Sequence, residues 1–348
     1  MVAAVDTPSR DDAAALPPTI YDVARVAFVS HATVSRVLND HPNVAPATRD
    51  AVRRAIAELG FTRNETAAAL SFSAARSERI GIIIEQISET GAHGNFVGAL
   101  DELQQAGYRF ELATADGPDR RRDALAALRR FDGVTAGILA LVQTQPVRDA
   151  LTASPTRSPL YIDEHLDRGS HDEPGAEELI GRAAADHVAE LGRRRVLVVP
   201  GPADSLAARH RTGAFVDRAR LHGLRVQVGA PGEWTAEAGF AAMMGLDPAE
   251  HDAVFAANDE MAFGVLHALR ARSIGVPDDI AVLGVDDSPN SPHTDPPLSS
   301  VRHDLMSEGR LAARTLIASM RGTSKPDPAD YLDVAVQARE STIGSRNP

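Results

Sequence analysis

Hydrophobic residues follow two different spacings along the chain. From Thr19 to Gly60 they recur at helical intervals in three short blocks. Thr19 stands three residues before Asp22, a variant of the capping box, ahead of Val23 and Ala27 at i, i+4. Ser30 is placed to cap a second helix with Val34, Val37 and Leu38 on its inward face. Pro46 takes a first-turn position in a third, where Val52, Ile56 and Leu59 repeat at i, i+4, i+7 before Gly60 ends it. A gap of two or three residues between the first two blocks predicts a steep helix-turn-helix. From Arg79 onward, apolar β-rich runs (80–84, 110–114, 137–142, 160–163, 196–200, 254–258 and 280–285) alternate with helical segments such as 176–191, 206–221 and 259–272. Such a βα repeat predicts parallel sheets covered by helices on both faces. The region is too long for one sheet, so the pattern predicts two lobes with a ligand cleft at the strand C-termini.

Composition narrows the class. With 348 residues, 43% hydrophobic and 24% charged, the chain is ordinary globular protein, and wholesale disorder is excluded. No apolar run approaches the roughly 18 residues of a membrane helix. The first 18 residues carry Asp6, Asp11 and Asp12 against one arginine and no apolar core, so they read as a mobile tail and not a signal peptide. That expectation, with no cysteine in the chain, suits a cytoplasmic protein. Residues 64–78 form a polar, alanine-rich connector, too short to hold a helix alone. The net charge of −12 argues at first sight against nucleic acid. Its distribution changes that reading, because residues 17–78 hold seven arginines against six acids, leaving the acidity on the region beyond.

The segment from Thr19 to Phe61, and above all Val29, Ser30, Thr33, Val34, Ser35, Arg36, Val37, Leu38 and Asn39, resembles the headpiece of the LacI/GalR family of bacterial transcription regulators, and the resemblance runs to about residue 345. It implies a three-helix headpiece, a hinge helix, and a two-lobed α/β domain like that of periplasmic binding proteins. In that frame His31, Ala32, Ser35 and Arg36 face the major groove, and Arg36 suits a bidentate contact to guanine. Tyr21, Ser30, Thr33 and Asn39 match positions that hold phosphates or set register. Leu70 matches the leucine that wedges between base pairs and bends the duplex. Arg49, Arg53 and Arg54 read either as a solvated helix face or as added electrostatic attraction. Three positions depart from the family: Phe28 where glycine is usual and positive φ is expected, Arg63–Asn64 for Pro-Asn, and Ala68 for arginine. A bulky residue at positive φ costs on the order of 1–2 kcal/mol.

In the larger region the resemblance assigns a sugar site to Asp163, Arg211, Trp234, Asn258 and Asp286. The chemistry agrees: carboxylates accept from adjacent hydroxyls, a guanidinium donates as a fork, a carboxamide does both, and an indole stacks on a C–H face. Each also has a structural reading. Asn258 and Asp286 suit helix and turn caps, Arg211 an ion pair, and Trp234 a packing residue. Leu305 is expected to face the cleft, whereas Glu85 and His93 lie in a stretch that departs from the family pattern. The acids carry no EF-hand or paired-histidine spacing, so no metal is expected, and no cofactor. Neither a Walker loop nor a G-x-S-x-G elbow occurs, so no enzyme is expected.

These readings combine into an α/β protein with a tail (1–18), a helix-turn-helix domain (19–63), a hinge (64–78) and an effector domain (79–345). The effector domain's N-lobe is expected at 79–172 and 304–331, and its C-lobe at 173–301 and 332–345. The expected partners are a palindromic double-stranded DNA operator, a small sugar and a second copy of the chain, with no membrane. The chain shows no leucine heptads after Ser341, so a two-fold homodimer is expected without a tetramerising coiled coil. A purine-type effector is the alternative within regulators, and an exported solute-binding protein the remote one.

Overall fold

The structure, a computed structural model, describes residues 18, 20–38, 44–61, 78–163 and 174–344. The chain divides into two compact units, residues 1–74 and 75–348.

In the smaller unit, α1 (Ile20–Val26), α2 (His31–Leu38) and α3 (Pro46–Leu59) surround Val23, Val34, Val37, Val52 and Ala55, all buried. Ser30 caps α2, its hydroxyl accepting from the Thr33 amide at 3.1 Å. The connection between α1 and α2 is four residues, 27–30, longer than the pattern predicts. The extra length closes α1 with a Schellman motif: the Val29 amide donates to Ala24 O at 3.0 Å and the Phe28 amide to Arg25 O at 3.3 Å. The motif requires a left-handed residue after the cap, and that residue is Phe28, with φ 55°. At the end of α3 the same motif is built on Gly60, with φ 60°. Glycine adopts this conformation freely, whereas Phe28 holds it while 95% exposed, without packing within the unit to offset the strain. Phe28→Gly is therefore expected to raise the stability of this unit by about 1 kcal/mol, the relief of strain less glycine's own entropy cost. Thermal unfolding followed by circular dichroism checks this, and a destabilised variant would contradict it.

The larger unit holds two sheets. In the first, β1 (Arg79–Ile84), β2 (Arg109–Thr114), β3 (Gly137–Leu141) and β4 (Leu160–Ile162) run parallel in the order β2-β1-β3-β4. Alternate residues divide between its faces. Ile80, Ile82, Ile84, Leu139 and Leu141 pack on α4 (Thr90–Gln105) and α11 (Leu305–Arg321). Ile83, Ile138 and Ala140 pack on α5 (Arg120–Phe131) and α6 (Gln145–Thr152). Burial on both faces is why the strands read as unbroken apolar runs.

The second sheet contains β5 (Arg195–Val199), β6 (Arg225–Val228), β7 (Ala253–Ala256), β8 (Ala281–Val285), β9 (Ser299–Arg302) and β10 (Ala335–Gln337), in the order β10-β9-β8-β7-β5-β6. Only β10 is antiparallel, on β9. The helices α7 (Ala176–Glu190) and α8 (Leu206–Leu221) cover one face. The other carries α9 (Ala236–Met244) and α10 (Asp259–Ala271). A last turn, α12 (Glu340–Ile343), packs by β8 and β9. The chain leaves this sheet at β9, crosses through His303 and Asp304 into α11 on the first, and returns to β10.

Candidate functional site

Between the two sheets of the larger unit lies a narrow cleft, partly continuous with solvent. The first lobe contributes Gln86, Glu89 and Asn95, the second Glu177, Arg211, Trp234, Asn258 and Asp286, and the crossover with its helix His303, Leu305 and Glu308. Of the five residues assigned from the sequence, four meet here. The fifth, Asp163, is 2% exposed and does not line the cavity. Its amide donates to Ala140 O at 2.9 Å, extending the β3–β4 pairing, which keeps this residue with the sheet.

Arg211 projects from the first turns of α8 and is buried. Its Nε donates to Glu177 at 2.6 Å and a terminal nitrogen donates to the Ala257 carbonyl. Burial pushes the Glu177 carboxyl upward, but the charge and hydrogen bond of Arg211 outweigh it and hold the group below its ordinary value. Asn258 caps α10, accepting from the Met261 amide at 2.8 Å, and its amide nitrogen donates to Trp234 O at 3.2 Å. The cap and the cavity wall are thus one residue. The Trp234 ring lies so close to Gly201 that a Cβ there would sit 2.4 Å from it.

Asp286 leaves β8 with φ 99° and Asp287 follows with φ 51°, two non-glycine residues in strained backbone at the cavity edge. Asp259 holds the turn that follows: its buried carboxylate accepts from Ser288 N at 2.8 Å, Ser291 Oγ at 2.5 Å and Ser300 Oγ at 2.7 Å. Burial and the nearby Asp286 charge raise its pKa to about 7 against those hydrogen bonds.

His303 sits on the crossover between two carboxylates. Its Nδ1 is 2.8 Å from Glu308 on α11, and its Nε2 is 3.2 Å from Asp286 after β8. Burial disfavours the imidazolium, yet the Glu308 charge and the hydrogen bonds to Asp286 and Glu308 lift its pKa to about 10. The charged histidine therefore ties together groups from both lobes at neutral pH.

A clasp joins the lobes on another side. Residues 143–145 form an antiparallel bridge to 204–206, with the Leu206 amide donating to Gln143 O at 2.9 Å and the Gln145 amide to Asp204 O at 3.2 Å. Glu85 anchors it, accepting from the amides of Gln143 and Thr144 at 2.8 and 3.0 Å and from Thr144 Oγ1 at 2.6 Å. Glu85 is thus a structural carboxylate, and His93 does not line the cavity. Leu305 does.

Sequence reasoning passed over Glu177, His303, Glu308, Asn95 and Glu89. Glu177 carried only the signal of an acid in a helix's first turn. His303 and Glu308 are five apart, a spacing with no motif. Among the described residues no group of three His, Asp or Glu side chains is arranged to hold a metal, and no helix is long and apolar enough to cross a membrane.

In the smaller unit, His31 and Arg36 are exposed on α2 while Val34 and Val37 are buried, and the Thr33 hydroxyl lies 2.9 Å from that of Ser30. Tyr21, Ala32 and Ser35 lie on these helices, but their side chains, and all of Asn39, Arg63, Asn64, Ala68 and Leu70, fall outside the described residues.

Comparison with known proteins agrees with this division. A family model for bacterial regulatory proteins of the lacI family matches residues 19–64, and one for a periplasmic binding protein-like domain matches 185–342. The HTH-type transcriptional regulator CelR of Thermobifida fusca is 33% identical over 93% of this chain and 98% of its own length. A solved CelR–cellobiose complex superposes with a TM-score of 0.64 at 29% identity, covering 93% of this chain and 99% of that one. A lac repressor dimer bound to operator and an anti-inducer gives a TM-score of 0.65 at 25% identity, covering 94% and 100%.

Proposed function

Because the chain belongs to the LacI family of bacterial regulatory proteins and is a DNA-binding transcriptional regulator, we propose that it is a cytoplasmic, non-enzymatic repressor whose operator affinity is set by a sugar held between the lobes of residues 79–345. The observation that carries this reading is the cavity in which Arg211, Trp234, Asn258 and Asp286 meet. It is polar, donor- and acceptor-rich, and walled on one side by an indole, which is what a ring bearing hydroxyls and C–H faces requires. A relative that forms a complex with cellobiose supports the sugar class.

At the DNA end, the helix-turn-helix of 19–63 acts as one half of a two-fold dimer on a palindromic operator. His31, Ala32, Ser35 and Arg36 read base edges, while Tyr21, Ser30, Thr33 and Asn39 hold the backbone. The connector 64–78 carries Leu70 into the minor groove as the wedge. A lac repressor dimer on its operator supports this arrangement. Sugar binding shifts the population between two lobe arrangements, by no more than its differential affinity for them.

The test uses Trp234, the only tryptophan, as reporter. Cellobiose, galactosides and pentoses are titrated against the full chain by fluorescence, and DNA binding is measured on a duplex selected from a random pool. The Leu70→Ala protein is expected to lose tight DNA binding and keep the sugar response. Loss of both would count against a separate wedge, and a response to nucleobases but to no sugar would transfer the site to a purine-type effector.

A further inference from the structure

We propose that the cleft takes an uncharged or amine-bearing sugar and rejects phosphorylated and carboxylated ones. The inference rests on the sugar-responsive reading above and narrows it. Two cations line the cavity, Arg211 and His303, and each is already matched by carboxylates. Arg211 has its charge matched by Glu177 at 2.6 Å and gives one terminal N–H to a main-chain carbonyl; the N–H groups that remain suit a neutral hydroxyl. Both ring nitrogens of His303 are committed, one to Glu308 and one to Asp286, so the imidazolium keeps no N–H for a ligand.

Against these two cations the same lining holds four carboxylates, Glu89, Glu177, Asp286 and Glu308. Burial and the charges of Glu233 and Glu260, both from the other lobe, raise the Glu89 carboxyl above its ordinary value, so the mouth of the cleft is itself crowded with negative charge. A phosphate or carboxylate brought here would be stripped of water beside like charge, with no unpaired cation to receive it.

A second observation points the same way. Asn95 is 95% buried, with 5% exposure, and its carboxamide oxygen has no donor; the Gln86 side-chain oxygen, also in the lining, is in the same state. Two buried acceptors without donors call for O–H or N–H groups from the ligand. Sugar hydroxyls supply these, and an ammonium supplies three, whereas an ionised phosphate or carboxylate oxygen only accepts.

The full-length protein is titrated with matched ligands: cellobiose, the β-1,4-linked glucosamine dimer and the disaccharide carrying glucuronate in place of the terminal glucose. The same series is made for any other neutral sugar that binds. Trp234 fluorescence and calorimetry read the affinities. The uronate is expected to bind roughly a hundredfold more weakly than its neutral parent, and the amine at least as well as the parent. Glu89→Gln is expected to narrow that gap by about tenfold. Uronate or phosphate binding as tight as the neutral parent overturns the inference and leaves the sugar-responsive reading standing. Silence from every sugar, neutral or charged, overturns that reading and the inference with it. An unchanged gap in the Glu89→Gln protein overturns the electrostatic cause.

Discussion

An Arg211→Ala protein loses roughly 3–5 kcal/mol of stability in its larger unit, because the substitution strands the Glu177 carboxylate in the interior. The two side chains are 5% and 6% exposed, so solvent screens neither. The Ala257 carbonyl loses its donor at the same time. Stability falls with ligand response, so a silent Arg211→Ala protein would by itself say little about the effector. Pairing Arg211→Met with Glu177→Leu separates the two effects. Removing both charges is expected to restore most of the stability and none of the response. The dependence on pH has a definite sign. The Glu177 pKa is depressed on folding, so the pair's contribution is full above the ordinary carboxylate value and is lost as pH falls through the folded value. Urea unfolding at a series of pH values should show wild type and Arg211→Ala converging in acid. Equal stability of the two at neutral pH would refute the argument.

His303→Leu is expected to be of similar size and of opposite pH sign. The substitution leaves Asp286 and Glu308 on either side of an apolar residue, with side-chain exposures of only 11% and 5%. Roughly 3–5 kcal/mol is again the scale for breaking such a buried network. The histidine's pKa is raised on folding from 6.5 to about 10. Its contribution is therefore complete below pH 6.5 and disappears as pH rises through about 10. The wild-type protein should weaken across this alkaline window by a few kcal/mol, and His303→Leu should lack that decline. A flat wild-type curve would mean that the histidine is neutral when folded. Because Asp286 and Glu308 belong to different lobes, the variant should also loosen closure, seen as faster amide exchange at the 143–145 clasp than in wild type.

How much of this was legible beforehand differs between elements. Seven of the ten described strands were visible because parallel strands covered on both faces have no polar side, as in the run from Ile80 to Ile84; the exposed edge strand β6, the serine-bearing β9 and the short antiparallel β10 lack such a run. The Ser30 cap was readable as well, since it expresses a contact within a few residues, and the positive φ at Phe28 was expected from the resemblance, which has glycine there. The length of the first turn was misjudged, because the Schellman closure adds a residue that hydrophobic spacing does not register. In the cavity, the polar residues at strand ends were anticipated by position and resemblance. Their partners were not. Glu177 is 34 residues from Arg211, and His303 is 17 from Asp286. No local pattern marks a buried acid among the many acids of helix first turns.

The linear chain by itself marked the three short helices of the smaller unit and seven of the ten strands described in the larger one, and the family resemblance pointed to the side chains for DNA and for a polyhydroxyl ligand. The elements follow from periodicity and caps, all of them short-range, whereas the site residues follow from the resemblance. Only the tertiary structure decided the electrical state of the cleft. Arg211 and His303 are cations in the sequence; packing surrounds them with carboxylates and leaves Asn95 and Gln86 as acceptors without donors. Charge on a residue is local, but its neutralisation depends on which distant groups the fold brings within hydrogen-bonding distance and away from water.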